Sequence, residues 1–256
     1  MKSFLAFLKK EYTESVRSGK FLLLLILFIA IGIMNPAIAK LTPWLLETMS
    51  ESMEETGMTI TVVTVDALTS WTQFFKNIPM MLIAYVLVYA GLYTKEYEAG
   101  TLVLILTKGI ARYKIVLAKA VWLLTFWTVG YFICFGITYG YNAYYWDNSI
   151  AQELIPSILH WYVFSLFVLC LMVLFSALSK GLSMVLLGTG STVLASYLLG
   201  LFPKLTHYLP TSLMNSNGLL MGTESANRYL PAVMITLSLC ILSIAISIPV
   251  MNKKQL

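Results

Sequence analysis

The sequence predicts an all-α polytopic membrane protein, and three observations carry that prediction. Of its 256 residues, 59% are hydrophobic and 11% are charged, too few charges to cover a soluble surface. Several apolar runs exceed the roughly 18 residues that a helix needs to cross a bilayer. The alternation of a membrane β-barrel is missing, so helices must satisfy the backbone in hydrocarbon.

Residues 1–20 place Phe4, Leu5, Leu8, Tyr12 and Val16 on one helical face, with Lys2, Lys9, Lys10 and Arg17 elsewhere. That pattern suits a helix lying in the membrane interface. The first span is expected over 21–39. It ends in Ala37-Ile38-Ala39, which resembles a signal-peptide cleavage site, but the preceding twenty residues mix acids with bases, unlike a short basic leader. The segment is therefore read as an anchored span. An acidic stretch follows, with a surface helix, and then a second span over 78–93 whose start near Trp71 is the alternative boundary. Further spans are expected over 115–139, 155–178, 182–202 and 230–251. Between the last two, Pro203 and Pro210 break a segment of moderate hydrophobicity. The whole chain, 1–256, reads as one transmembrane domain.

Orientation follows from the cations. Of the 17 Lys and Arg residues, all but Lys40, Lys76, Lys204 and Arg228 fall on the side of the two termini. The positive-inside rule places both termini in the cytoplasm. Most of the acids, among them Glu47, Glu51, Glu54, Glu55 and Glu224, fall outside.

Several chemistries are excluded or disfavoured. There is no GxxxxGK[ST], and the GTGST of 188–192 lacks the lysine and lies in an apolar run, where small residues serve helix packing. Cys134, Cys170 and Cys240 lack metal-ligand spacing and read as small buried hydrophobes. Ser191 and His160 sit in no nucleophile motif. No catalytic residue, metal site or nucleic-acid partner is expected. The spans carry no ionisable residue near their centres, which argues against an ion-coupled carrier.

The loop KEYEAGTLVLILTKGIARYK, 95–114, is the most informative segment. Glu96 and Glu98 leave the second span, Gly100-Thr101 turns the chain and caps a new helix, and Leu102–Leu106 is too short to span and too apolar to be solvated. Lys108-Gly109 marks a second turn. Cations then lead back into the third span. This describes a short docked helical hairpin.

Those residues resemble the ABC-2-type permeases, the membrane subunits of type V ATP-binding-cassette exporters. The resemblance rests on Glu96-Tyr97-Glu98-Ala99-Gly100-Thr101-Leu102, then Leu106-Thr107, Ile110-Ala111-Arg112 and Leu117-Ala118-Lys119, with Ala111 in place of serine and Gly109 in place of proline. It implies that Glu96, Glu98, Gly100, Thr101, Leu102, Leu106, Thr107, Gly109, Ile110, Arg112 and Tyr113 couple the chain to a separate cytoplasmic ABC ATPase. ATP and Mg would be bound on that partner, and no cofactor on this chain. It also implies six transmembrane helices, a re-entrant hairpin before the last, a second permease copy or paralogue forming a dimer, and residence in a bacterial cell membrane.

Glu96 and Glu98 are expected to pair with bases of the N-terminal helix. Trp122, Phe126, Trp127 and Tyr131 are candidates to line a conduit. Apolar spans and acidic exterior segments suit amphipathic peptides, toxins or antimicrobial peptides, as cargo. Drugs, sodium, lipid-linked saccharides and a non-transporting accessory role are the alternatives.

Overall fold

The computed structural model describes residues 2–53, 65–94, 96, 100–101, 107, 110–179 and 181–253. Among the described residues there are seven long helices and no strands. They are α1 (Lys2–Arg17), α2 (Lys20–Met53), α3 (Ala67–Tyr89), α4 (Arg112–Tyr145), α5 (Leu154–Leu178), α6 (Leu182–Leu199) and α7 (Leu230–Lys253). Five of them, α2 and α4 to α7, are long and apolar enough to cross a membrane.

Helix α3 is not among them. It begins at Ala67, ahead of the expected 78, and its first half carries Thr69, Ser70, Thr72, Gln73, Lys76 and Asn77. These polar residues dilute its hydropathy, yet its 23 residues extend about 34 Å. It runs the full depth of the bundle. At one end Trp71 Nε1 donates to Asn148 Oδ1 in the turn after α4 (3.0 Å), and at the other the Tyr89 hydroxyl meets Ser15 Oγ of α1 (2.6 Å). Asp66 caps its start, accepting from Thr69 N.

Helices α2 and α4 lie parallel, and their register is fixed by close approach. Phe28 sits over Gly130, where a Cβ would collide with its ring, and Lys40 lies over the Tyr145 ring at 3.7 Å. Midway, Pro36 removes the amide that would have bonded the Gly32 carbonyl. Thr138 Oγ1 of α4 donates to that carbonyl instead (3.0 Å) and accepts from Asn35 Nδ2 (3.1 Å). Asn77 of α3 donates to Asn35 Oδ1 (2.7 Å), so three helices share one buried polar relay.

Helix α5 is the most deeply buried of the spans and packs on α7, α6, α4 and α3. The segment between α6 and α7, expected to re-enter the membrane as a hairpin, takes the form of four short turns, Pro203–Thr206, Pro210–Met214, Asn217–Leu220 and Ala226–Tyr229, in place of a two-helix hairpin. Its prolines and glycines allow nothing longer. The segment nevertheless folds inward: Thr211 Oγ1 meets Ser196, and Met214 reaches the level of Trp161 and Val193. Glu224 holds it together by accepting from Tyr229, from Arg228 (2.8 Å) and from Asn215 (3.4 Å).

Candidate coupling site at the basic end

The first and last described residues lie at one end of the bundle, where α1 packs across the starts of α2 and α4. The stripe of α1 that faces the protein is Phe7, Glu11 and Ser15, spaced at i, i+4, i+8. The apolar face made by Leu5, Tyr12 and Val16 stays exposed, as expected of a helix that rests on the membrane interface.

Beneath α1 lies a closed ion cluster. Lys119, eight residues into α4, is 2% exposed, and Glu11 and Glu96 are 6% exposed each. Lys119 Nζ pairs with Glu11 Oε1 (3.0 Å) and Glu96 Oε2 (3.2 Å). Lys10 pairs with Glu96, with Glu11 (3.2 Å) and with Glu14 (3.0 Å). A lysine this deep would ordinarily extend toward water. Here the chain brings carboxylates from two other elements to it.

Burial works against charge on Lys10, yet the carboxylates of Glu11, Glu96 and Glu14 hold its ammonium well above the ordinary lysine range. Burial likewise raises Glu14, but its hydrogen bond to Lys10 together with the charges of Lys10, Lys119 and Lys20 outweighs burial and leaves it below the usual carboxylate value. Oxygens of Glu11, Glu14 and Glu96 lie within 4.8 Å of one another, the only such metal-capable grouping among the described residues. The Lys10 ammonium already bonds all three carboxylates, so the place of a cation is taken.

The returning arm of the loop is anchored separately. Arg112, the first residue of α4, donates from Nη1 to the carbonyls of Met251 and Asn252 (2.9 Å each). These belong to the last turn of α7, whose carbonyls have no intrahelical partner and carry the negative end of the helix dipole. Lys114 Nζ reaches Ser3 Oγ at 3.3 Å.

Glu96 therefore does pair with the N-terminal helix, through Lys10. Glu98, Leu102, Leu106 and Gly109 lie outside the described residues. Gly100 holds φ +65°, a turn conformation that favours glycine, while Thr101 and Thr107 are exposed. Tyr113 is exposed, and Ile110 is half-buried against the core instead of presenting itself outward.

Of the four aromatic residues expected along a conduit, Phe126, Trp127 and Tyr131 are buried inside the bundle and Trp122 is half-buried. Trp127 and Tyr131 are fully buried, donating to Ser165 Oγ (2.7 Å) and the Ile158 carbonyl (2.9 Å). Phe126 stacks on Phe21 (4.9 Å), and Trp122 stacks on Phe126 beside Tyr12. Phe126, Trp127 and Tyr131 help fill the interior where α2, α3, α4 and α5 meet.

Glu11 and Lys119 were absent from the expected site. Lys119 was legible only as part of a motif, although a lysine flanked by Ala118 and Ala120 inside an apolar helix requires a carboxylate from elsewhere. No curated protein matches the sequence at a significant level. A family model described as ABC-2 family transporter protein, however, matches residues 5–251, nearly the full chain. With its helical bundle and charged segment between α3 and α4, the chain belongs to the ABC-2 transporter family.

Proposed function

We propose that this membrane component works as a permease dimer driven by a separate cytoplasmic ABC ATPase, which docks on the segment from Glu96 to Tyr113. The observation that carries the reading is the anchorage of that segment at both ends. Glu96 enters the ion cluster with α1 and α4, and Arg112 grips the last turn of α7. A displacement of the loop would then move several spans together, because packed interfaces shift as units.

Amphipathic peptides are the cargo we propose, moved outward. The five helices long and apolar enough to cross a membrane, α2 and α4 to α7, free of central charge, and the acidic segments expected outside support this over sodium or saccharides. The basic end that carries both termini faces the cytoplasm in this reading.

The test uses the exposed Tyr113, since a charge at half-buried Ile110 would also disturb packing. Tyr113→Asp and Gly100→Pro should leave the chain folded in detergent while reducing co-purification of the ABC ATPase and stimulation of its hydrolysis by at least about tenfold, the loss of roughly 1.4 kcal/mol at the interface. Retention of both in both variants would overturn the docking assignment. Cells without the chain should become sensitive to amphipathic peptides; altered sodium or drug tolerance with unchanged peptide tolerance would redirect the cargo.

A further inference from the structure

We propose that the notch between α1 and α4 is a binding site for one anionic phospholipid, with an acyl chain against Trp122 and the headgroup phosphate on Lys9. The site depends neither on the docking of an ATPase nor on the nature of the cargo.

The notch measures about 310 Å³ and has two walls. Leu5, Leu8 and Tyr12 of α1 make one, Val121 and Thr125 of α4 make the other, and Trp122 lies between them. Rings fix its floor. Tyr12 meets Trp122 (5.5 Å) and Phe21 (6.1 Å) edge-on, while Trp122 and Phe21 both stack on Phe126. Phe21 is the second residue of α2, so the notch sits at the level where that apolar helix begins. Leu5, Tyr12 and Val121 are exposed, which leaves its flank open to hydrocarbon.

A single cation stands on the rim. At 3.6 residues per turn, Leu8, Tyr12, Leu5 and Lys9 follow one another around α1 away from its buried stripe, so Lys9 is the outermost. It is exposed, and among the described residues neither Lys9 nor Arg17 pairs with a carboxylate. The acids of this end, Glu11, Glu14 and Glu96, are engaged by Lys10 and Lys119. Arg17 lies two turns further along the same outward face, about 12 Å from Lys9.

The occupant must therefore offer an apolar body at the flank and an anion at the water edge. A phospholipid has its parts in that order. A lysine at such an edge lays its methylenes on apolar surface and carries its ammonium outward, to headgroup level. In a zwitterionic lipid the headgroup's own cation offsets the phosphate, so an unpaired Lys9 favours a headgroup of net negative charge. One cation near an anionic lipid surface is worth about a fivefold gain.

Photolabelling of the purified chain in phosphatidylcholine nanodiscs tests this. The probes are trace phosphatidylglycerol and trace phosphatidylcholine, each with a diazirine on its acyl chain. Phosphatidylglycerol should label 5–12 and 121–125 about fivefold more than phosphatidylcholine does. Lys9→Gln should bring the two lipids to parity. Lys253→Gln, which removes another exposed cation at the same end of the bundle, should leave the excess intact. Thr125→Trp, which fills the notch and keeps Lys9, should abolish it.

Equal labelling by the two lipids in the unaltered chain would overturn the proposal. So would an excess lowered as much by Lys253→Gln as by Lys9→Gln, which would leave only the general attraction of a basic surface. Loss of ATPase co-purification in Lys9→Gln with lipid labelling unchanged would assign the cation to the protein partner instead. Lys9 is exposed, so its replacement by glutamine leaves the fold in place.

Discussion

Lys119 of α4 and Glu11 of α1 form a buried ion pair, with Nζ 3.0 Å from Oε1 and 3.1 Å from Oε2 of the same carboxylate. The two residues are 108 positions apart in sequence and join the interfacial helix to a membrane-crossing one. Taking either charge away leaves the other in a low-dielectric site, and that asymmetry makes the pair informative.

Lys119→Met should destabilise the chain by about 3–5 kcal/mol, because Glu11 and Glu96 would be left with Lys10 as their remaining partner. The double variant Glu11→Gln/Lys119→Met should recover part of that loss. Thermal unfolding in detergent gives both values, and simple additivity of the two single changes would show that the pair is not coupled.

The cluster should set the pH range over which α1 stays docked. Glu14 lies below its usual value of 4.5, so its contribution is present above about pH 4.5 and is lost as pH falls through the lower, folded-state value. Lys10 lies above its usual 10.5, so its contribution is complete below that pH and is lost only as the solution becomes more alkaline than its raised value. An environment-sensitive dye on Lys9→Cys should report release of α1 in acid but not between pH 5 and 10. A transition near pH 7 would contradict the assignment.

Arg112→Gln should free the carbonyls of Met251 and Asn252, at a cost of about 1–3 kcal/mol for a charged hydrogen-bonding group. Amide exchange confined to the last turn of α7 should rise. Arg112→Lys should rescue only partly, since a single ammonium reproduces the paired contact less well. Unchanged exchange in Arg112→Gln would show that the clasp contributes nothing.

Thr138→Val should cost about 1–2 kcal/mol by orphaning both the Gly32 carbonyl and the Asn35 amide. Pro36→Ala restores the helical amide that Gly32 lacks, so Thr138→Val should be less harmful in that background. Equal cost in both backgrounds would sever the link between the proline and the threonine.

Five of the six expected spans were legible because apolar length alone reveals a span. The start of α3 was not, and the reason is Asn77. Its amide counts as polar in any hydropathy window, but inside the bundle Asn35 satisfies it. Glu96 was legible as a partner of α1, since its pairing needed only opposite charges at neighbouring ends. Lys119 was not, because its depth depends on α1 crossing α4, a tertiary arrangement that no local pattern encodes. The burial of the aromatic residues was not legible for a related reason. Trp127 and Tyr131 alternate with small residues such as Gly130, and from sequence an aromatic stripe is the same whether it walls a channel or fills a junction.

The grip of Arg112 on α7 reaches further than its own end of the molecule. Helix α7 begins at Leu230, immediately after Tyr229, whose hydroxyl holds Glu224 and with it the folded segment between α6 and α7. One continuous helix thus has a handle at one end of the bundle and a latch at the other. A tug of an ångström or two on Arg112 would be passed toward Tyr229 without any intervening loop to absorb it.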